Sequence, residues 1–408
     1  MPELALVGGK KAKGKAFPVW PYYDENEERA LKEVLESRAW SRISGTKTPE
    51  FERAFAKFHG ARHGIAVTNG TAALEVTMAA LGVTAGDEVI LPDFTFVATA
   101  SAVLFANALP VLVDIDPETY CVNPDLVEAA ITPRTKAIIA VHIGGHPADL
   151  DRLKEIAARK RLALIEDSSH AHASEWRGQR VGTFGVAGTF SFQASKLMTA
   201  GEGGIIISND DKFEVQARSV HNCGRMPGEW IFSHFIYGSN YRLSEWQGAI
   251  LHAQLNRLDE QTKRRHQNAR LLDCLLRKIP GITPQKLDER CTRNAQYAYI
   301  FHVNKREFAG LSTERFIEAI NAEGIPTRPS YPPLHEMHLF RNDQYRKRLI
   351  AKQAKEKHAF LKQEFPETEK AAWETVWITQ PALLGDEEDM REIAAAVGKI
   401  QKNAKELA

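Results

Sequence analysis

The chain has 408 residues, of which 43% are hydrophobic and 26% are charged, and its 53 basic and 52 acidic side chains leave a formal net charge of +1. This length predicts two domains, and the ordinary globular composition excludes a collagen-like or wholly disordered protein. A net charge near zero offers no general attraction for nucleic acid or an anionic membrane, so we expect small-molecule partners.

Targeting signals and cysteine pairs are both missing from the pattern. No apolar run approaches the ~20 residues of a membrane span, and Pro2 and Glu3 stand where a signal peptide needs positive charge. We therefore expect a cytoplasmic protein. The cysteines include no CxxC pair, so neither a zinc site nor a disulfide framework is indicated. They are Cys121, Cys223, Cys274 and Cys291.

The N-terminal part of the chain predicts a tail followed by two helices. Residues 1–16 are rich in Gly and Lys, which is typical of a flexible, solvated tail. Residues 24–37 have a helix-like pattern, and residues 48–58 place three phenylalanines on one helical face. We expect a large domain to follow the tail, from residue 17 to residue 260.

Short apolar runs then alternate with segments that are mostly long enough for a helix. Runs of four to six apolar or β-branched residues in this arrangement predict a parallel sheet buried on both faces, and hence an α/β domain. The runs are IAVT from residue 65, EVILP from 88, VLVDID from 111, AIIAV from 137, ALIED from 163, GTFSF from 188 and GIIIS from 204.

A second, smaller α/β domain is predicted over residues 261–408, with its boundary near residues 255–285. Residues 244–278 contain no proline and carry leucines at helical spacing, which indicates one long helix or two nearly continuous ones. Beyond Pro280 the pattern predicts strands at residues 298–303 and 376–379 and helices at residues 313–323 and 387–402.

Three segments carry residues suited to chemistry. In TNGTAAL, from Thr68, a Gly-Thr pair at a helix start offers free N–H groups and the positive end of the helix dipole, which suit a phosphate; a plain N-cap is the alternative. In LIEDSSHAHA, from Leu164, a buried strand ends in Glu166 and Asp167, where ligands bind in open α/β sheets. Only one of these carboxylates need be functional, and a helix cap is equally consistent with the pattern.

The third segment is TFSFQASKLMTAGEGG, from Thr189. Lys196 follows a strand here, has no adjacent cation, and precedes small residues that let backbone approach closely. A desolvated lysine loses its charge more readily and becomes a nucleophile for carbonyl groups. The alternative is a surface lysine whose stem packs on apolar neighbours.

Together these segments resemble the DegT/DnrJ/StrS family of fold-type-I, pyridoxal 5′-phosphate (PLP)-dependent aminotransferases. TNGTAAL, LPDFTFVAT, IEDSSHAHAS, FSFQASKLMTAGEGG and GSNYRLSEWQGA occur in the family's order, and the resemblance runs from about Phe17 to the C-terminal helix. It implies a large domain with a mostly parallel seven-stranded sheet and a small C-terminal α/β domain. It also implies PLP as cofactor, a homodimer with shared active sites, and a place in secondary-metabolite or polysaccharide biosynthesis.

The resemblance also implies roles for individual residues. Lys196 matches the lysine that holds PLP covalently and, once released, shuttles a proton. Asp167 matches the residue that pairs with the protonated pyridine nitrogen, and both are expected to be catalytic. The remaining cofactor-binding matches are Gly70, Thr71, Ala72 and Ser191 on the phosphate, Phe96 against the ring face, His170 near the ring hydroxyl, and Asn240, which reaches the phosphate of the partner chain.

Residues that depart from the common pattern of the family bear on the substrate. Gln193 stands where many nucleotide-sugar aminotransferases have His, and with His170 and the CGR of residues 223–225 it is more similar to 3-amino-5-hydroxybenzoate synthase. ETYC at 118–121, GSNY at 238–241 and YPPLH at 331–335 are more similar to glutamine-dependent keto-inositol aminotransferases. We therefore expect glutamine or glutamate as donor and a cyclic keto acceptor. The expected substrate contacts are Gln193, Arg225, Tyr331 and His335.

Alternatives remain at this point. Arg328 and His335 could serve a phosphate, which would favour a nucleotide-linked sugar as acceptor. A 3-amino-5-hydroxybenzoate synthase-like dehydratase and a non-catalytic PLP-binding regulator are also consistent with the pattern. Sugar dehydratases of the superfamily replace the lysine with His, so Lys196 argues against that chemistry. A single turnover with an amino donor separates an enzyme from a regulator.

Overall fold

The structure is a computed structural model that describes residues 3–226, 228–230, 232–341 and 364–407. Its main sheet has seven strands in the order β1-β9-β8-β5-β4-β2-β3. Their bounds are β1 His63–Val67, β2 Glu88–Pro92, β3 Leu109–Val113, β4 Thr135–Val141, β5 Ala163–Asp167, β8 Ala187–Ser191 and β9 Gly204–Ser208. Each of the apolar runs predicted from the sequence contributes one of these strands.

All neighbours in this sheet pair in parallel except β9, which runs antiparallel to both β8 and β1. The segment between β8 and β9 contains no helix, so the chain can return antiparallel without a crossover. The prediction of a mostly parallel, seven-stranded α/β sheet is thus confirmed.

Helices cover both faces of the sheet, as the apolar character of the strands requires. Alternate residues of β4 enter different cores: Ile138 packs in a core with α2, α6 and α8, whereas Ile139 packs in another with α3 and α4. The helices of this region are α1 Glu25–Ser37, α2 Lys47–His59, α3 Gly70–Ala80, α4 Ala98–Phe105, α5 Pro124–Ala129, α6 Leu150–Lys160, α7 Asp211–His221 and α8 Glu245–Leu276.

The C-terminal region contains a four-stranded antiparallel sheet in the order β10-β12-β14-β13 with its own core. Its strands are β10 Ile282–Pro284, β12 Ala298–Val303, β13 Thr327–Pro329 and β14 Thr375–Thr379, and its helices are α9 Thr313–Ala322, α10 His338–Arg341, α11 Pro366–Glu374 and α12 Glu387–Asn403. A small sheet that the sequence did not predict joins β6 Glu175–Trp176 and β7 Gln179–Arg180 to β11 Cys291–Arg293. Residues 342–363 of the predicted small domain lie outside the described residues.

Helix α8 is one continuous helix that passes between the two cores. Leu251 and Leu258 pack in the core of the large sheet, whereas Leu272 and Leu276 pack in the core of the small one. The boundary predicted at residues 260–261 falls between these two pairs. Within the described ranges, none of the helices combines the length and apolar character needed to cross a membrane.

Residues 3–16 pack against the C-terminal region, which differs from the flexible, solvated tail predicted from the sequence. Leu4 is buried in the small core, and Lys13 Nζ lies 2.6 Å from Asp389 Oδ1. The carboxylate of Glu323 accepts hydrogen bonds from two backbone N–H groups of the segment. Composition alone could not predict this packing, because the acidic partners lie directly after α9 and within α12, far along the chain.

Candidate active site

A cavity of about 760 Å³ lies beyond the carboxyl ends of β4, β5 and β8, where open α/β sheets bind ligands. Residues of the C-terminal region, including Tyr297, close it from the other side. Most of the residues singled out in the sequence line it: Gly70, Thr71, Ala72, Phe96, Asp167, His170, Ser191, Gln193, Lys196 and Tyr331, with Arg328. Asn240, Arg225 and His335 are not among its lining residues.

One end of the cavity is built by the start of α3. The Asn69 side chain caps this helix by accepting a hydrogen bond from Ala72 N at 2.8 Å, so the N–H of Ala72 is already engaged. A Cβ on Gly70 would lie 2.7 Å from Ser191 Cβ, so only glycine fits this close approach. Ser191 Oγ accepts a long bond of 3.4 Å from Gln193 N, which leaves the hydroxyl proton available to a ligand. The helix dipole and this hydroxyl suit a phosphate group.

The two carboxylates that end β5 have different partners because successive strand residues point to opposite faces. Glu166 is fully buried and accepts hydrogen bonds from the backbone N–H groups of Gly182, Phe184 and Gly185 at 2.7–2.9 Å. Asp167 lines the cavity, where Oδ2 accepts from Thr99 Oγ1 at 2.9 Å. Of the pair, Asp167 is the carboxylate available to a ligand.

Lys196 lies in the same cavity as Asp167. Burial lowers the pKa of its amino group below the ordinary lysine value, and the positive charge of Arg328 acts in the same direction. The carboxylate of Asp167 and, where it forms, the phenolate of Tyr297 oppose this shift. The local environment therefore favours a neutral, nucleophilic amine more than open solvent does.

Aromatic rings surround this lysine. Lys196 Nζ lies 4.5 Å from the ring centroid of Tyr297. The His170 ring stacks on the same Tyr297 ring, with 3.9 Å between the two centroids. His170 Nε2 lies 3.1 Å from Tyr331 Oη, whereas its buried Nδ1 has no protein partner in the described structure. Burial, with the charges of Lys196 and Arg328, holds the pKa of His170 well below its usual value, so the ring is neutral.

Tyr297 and Ser195 are site residues that the sequence analysis missed. Burial alone would raise the pKa of Tyr297, but the positive charges of Lys196 and Arg328 lower it to about 8. Its hydroxyl lies 3.1 Å from Ser195 Oγ. Tyr297 precedes β12 in an unremarkable NAQYAY segment, so no motif marks it; the only signal was the SK pair, which places Ser195 beside the lysine.

Gln193 is oriented by its neighbours. Its Oε1 accepts hydrogen bonds from Ser195 N at 2.9 Å and from Ser195 Oγ at 2.8 Å. A backbone N–H can only donate, so this bond identifies Oε1 and leaves Nε2 as the free group. Towards a ligand, Gln193 therefore acts as a hydrogen-bond donor.

His335 lies outside the cavity and joins the two regions. Its Nδ1 is 2.6 Å from Asp93 Oδ2, and its backbone N donates to Asp93 Oδ1 at 2.9 Å. Asp114, after the neighbouring strand, likewise accepts from the backbone N of Thr368 at 2.8 Å. The structure gives His335 this contact between regions, whereas the sequence predicted a substrate contact. Arg225 lies 3.4 Å from Asn222 Oδ1, also away from the cavity lining.

Asn240 lies on an exposed surface of its own chain. Its backbone bridges Asn222, and the preceding segment exposes large aromatic side chains, with Trp230 at 69% and Tyr237 at 98% exposure. The next residue, Tyr241, lines the cavity near the start of α3. An exposed aromatic surface beside the cavity is typical of a contact with another protein chain.

Known proteins with similar sequences and structures identify the family. The sequence profile of the DegT/DnrJ/EryC1/StrS aminotransferase family matches residues 21–397. An L-glutamine:2-deoxy-scyllo-inosose aminotransferase of Streptomyces kanamyceticus is 40% identical over 422 residues, with 100% of this chain and 98% of that protein covered. The 3-amino-5-hydroxybenzoate synthase of Amycolatopsis mediterranei is 41% identical over 333 residues, with 80% and 84% covered. A crystal structure of 3-amino-5-hydroxybenzoic acid synthase matches with a TM-score of 0.86 and 36% identity, covering 97% of this chain and 100% of that one.

Proposed function

The chain belongs to the DegT/DnrJ/EryC1/StrS aminotransferase family, and from this premise we propose that it transfers the amino group of L-glutamine to a keto-cyclitol with the help of PLP. One observation carries the proposal: Lys196, with a lowered pKa, and the available carboxylate of Asp167 line the same cavity as the start of α3. Membership confirms the resemblance drawn from the motifs, and the fold is that of a fold-type-I enzyme.

The residues of the cavity fit PLP. Gly70, Thr71 and Ser191 would hold the phosphate at the start of α3, where a larger side chain than glycine does not fit. The carboxylate of Asp167 would hold the pyridine nitrogen, and the unpartnered Nδ1 of His170 is suited to the ring hydroxyl. Phe96, which is 53% exposed, would cover the ring face. When bound, PLP supplies the electron sink that stabilises a carbanion at the carbon bearing the amino group.

The chain's own residues manage charge and protons. Lys196 Nζ, with its lowered pKa, would accept the proton from the amino-bearing carbon of the donor and pass it to the cofactor, and it would move a proton in the opposite direction in the second half-reaction. The carboxylate of Asp167 would pair with the positive pyridinium, and Thr99 fixes the orientation of this carboxylate through the bond to Oδ2. His170, held neutral, adds no positive charge that would compete with this pairing.

The acceptor is proposed to be a keto-cyclitol because relatives over nearly the whole chain act on keto-inososes. Gln193 supports this choice, since its free amide N–H groups can donate to ring hydroxyls at any working pH. The names of these relatives also specify L-glutamine, so we propose glutamine rather than glutamate as the donor. The similarity to 3-amino-5-hydroxybenzoate synthase supports a second candidate, a dehydratase-like activity on a related carbocycle.

Kinetics with paired substrates test the proposal. We expect kcat/KM for a keto-inositol with glutamine to exceed that for a nucleotide-linked keto-sugar by at least about tenfold, because each misplaced polar contact costs on the order of 1–3 kcal/mol. Glutamate serves as the comparison donor. A ratio that favours the nucleotide-linked sugar contradicts the acceptor, and no amino transfer from any donor contradicts the enzyme class.

We also propose a homodimer in which Asn240 completes the partner's phosphate site. The exposed aromatic side chains Trp230 and Tyr237 beside Asn240 support it, because burying such side chains in a contact is strongly favourable. Tyr241, adjacent in sequence, already lines the cavity of its own chain, so this surface lies next to the phosphate end. Each cavity would then need two chains.

A further inference from the structure

A second cavity, of about 360 Å³, opens beside the first and shares Gln193, Ser195, Tyr297 and Arg328 with it. We call this second cavity the side chamber; Trp20 and Gln380 complete the part of its wall that matters here. Resting on the proposed function, we propose that the side chamber is a carboxylate subsite that binds the α-carboxylate of the amino donor.

The free polar side-chain groups of the side chamber are hydrogen-bond donors. Gln380 is 2% exposed, its Oε1 accepts from Arg265 Nε at 2.9 Å, and its buried Nε2 has no protein partner in the described structure. The bond from Arg265 fixes the orientation of this amide, because a guanidinium can only donate. Gln193 likewise turns Nε2 outwards, since its Oε1 is engaged by Ser195. A ligand there must supply acceptors.

Arg328 provides the charge. Its guanidinium lies 4.8 Å from the Tyr297 ring centroid and 5.4 Å from that of Trp377, and its buried Nε has no partner. Among the described residues no acidic side chain lies within ion-pair distance of it, and none lines the side chamber. An arginine held by aromatic rings without a carboxylate partner is suited to a planar, bidentate anion.

A second buried arginine adds to the positive charge beside the side chamber. Arg265 is fully buried behind Gln380, with its Cζ 5.4 Å from the Trp20 ring centroid. Both terminal amino groups lack a protein partner, and burial lowers its pKa to about 9, so it is charged at neutral pH. Burying an unpaired charge is costly, and an anion in the adjoining chamber would offset part of that cost.

The chemistry of the two substrates favours the amino donor as the ligand of the side chamber. Every α-amino acid brings a carboxylate to the catalytic lysine, whereas a cyclitol ketone with free hydroxyls brings none. Arg328 Cζ and Lys196 Nζ lie 4.8 and 4.5 Å from the Tyr297 ring centroid, so the proposed carboxylate subsite and the lysine share this ring as a wall. The shared wall thus allows one lysine to serve two unlike substrates in turn.

Equilibrium binding of glutarate to the PLP-loaded enzyme tests the subsite without turnover. We expect calorimetry to show that glutarate binds more tightly than its neutral diamide, and that Arg328→Gln weakens glutarate binding about 100-fold, the usual cost of removing one partner of a buried ion pair. Arg328→Lys should fall between, because lysine keeps the charge but loses the bidentate fork. Arg315→Gln, which removes an exposed arginine paired with Glu318, is the matched control and should bind like the wild type.

A near-isosteric variant distinguishes loss of the subsite from a folding defect. Gln380→Glu puts a carboxylate in the chamber and gives Arg265 a charged partner, so the fold should persist while glutarate affinity drops at least about tenfold. Unchanged glutarate binding in both Arg328→Gln and Gln380→Glu overturns the subsite. If the two variants bind inorganic phosphate and phosphorylated acceptors more weakly but bind glutarate like the wild type, the chamber is assigned to an anionic acceptor. That result overturns the donor assignment.

The two half-reactions, followed separately by cofactor absorbance, complete the test. In Arg328→Gln we expect kcat/KM for glutamine to fall about 100-fold, chiefly through KM, and the reaction of the amine-form enzyme with the cyclic ketone to fall much less, because only the donor brings a carboxylate. Equal losses in both halves overturn the assignment in favour of a positioning role. If no amino acid converts the wild-type enzyme, the proposed function fails, whereas the glutarate titration still decides on the carboxylate subsite.

Discussion

The two ends of the main cavity are built in different ways. The end proposed to hold the cofactor, here called the cofactor end, contains Gly70, Thr71, Asp167 and Ser191, each at a strand end or helix start inside a short motif. The end proposed to hold the substrates, here called the substrate end, contains Gln193, Tyr297, Arg328 and Tyr331, which come from three separate segments of the chain. Local backbone geometry creates the first end, whereas tertiary packing creates the second, so the two ends should respond differently to substitution.

Substitution of Lys196, where the two ends meet, should have the largest effect. Lys196→Ala removes both the covalent attachment and the proton carrier, so we expect kcat to fall by at least about 10⁴-fold. Borohydride reduction of the wild type followed by peptide mapping should place the pyridoxyl group on this lysine. An adduct on another lysine would remove Lys196 from the centre of the site.

Substitution of the two carboxylates that end β5 tests which of them acts at the cofactor end. Asp167→Asn should lower kcat by about 10²–10³-fold with little loss of stability, because its partner is a charge on the ligand. Glu166→Gln should instead cost about 2–4 kcal/mol of unfolding free energy, since its carboxylate accepts three backbone N–H groups. Thermal melts and steady-state kinetics on both variants distinguish these outcomes, and a reversal of the two phenotypes would make Glu166 the pyridinium partner.

The sequence could bring together the cavity-lining residues of the proposed cofactor end because these residues are contiguous with the strands that carry them. Glycine at position 70, acid at 167 and lysine at 196 each follow or precede an apolar run, and all seven runs became strands. Tyr297 could not be found in this way, since its role depends on a contact with Lys196 and Arg328 that no local pattern encodes. The contact between His335 and Asp93 could not be predicted either, because the two residues are 242 positions apart in sequence.

Subunit mixing tests whether the cofactor end is complete in one chain. Asn240→Asp should lower activity about tenfold to 100-fold, because the new carboxylate would repel the partner's phosphate. Co-refolding Asn240→Asp with inactive Lys196→Ala should restore activity, since each mixed dimer would contain one intact site. Sedimentation must first show dimers; a mixture as inactive as its parents would contradict sharing through Asn240.

At the substrate end, Tyr297→Phe should have the smallest effect. Removing one neutral hydrogen bond predicts a loss of about 3–10-fold in kcat/KM. Because Tyr297 has a pKa of about 8, it is a neutral phenol below that pH and a phenolate above it. Ultraviolet titration of the cofactor-free protein should show one tyrosine ionising near pH 8, and this step should vanish in Tyr297→Phe. A wild-type titration without the early step would contradict the charge coupling to Lys196 and Arg328.

Helix α8 has a consequence for how the molecule unfolds. Its 32 residues pass without a break from the core of the large sheet to the core of the small one. Losing the small core would leave the C-terminal half of the helix without packing partners, and an isolated stretch of that length is marginal in water. The fraying would propagate towards Leu258 and loosen the other core. The two cores should therefore melt as one cooperative unit, with a single calorimetric transition despite their separate packing.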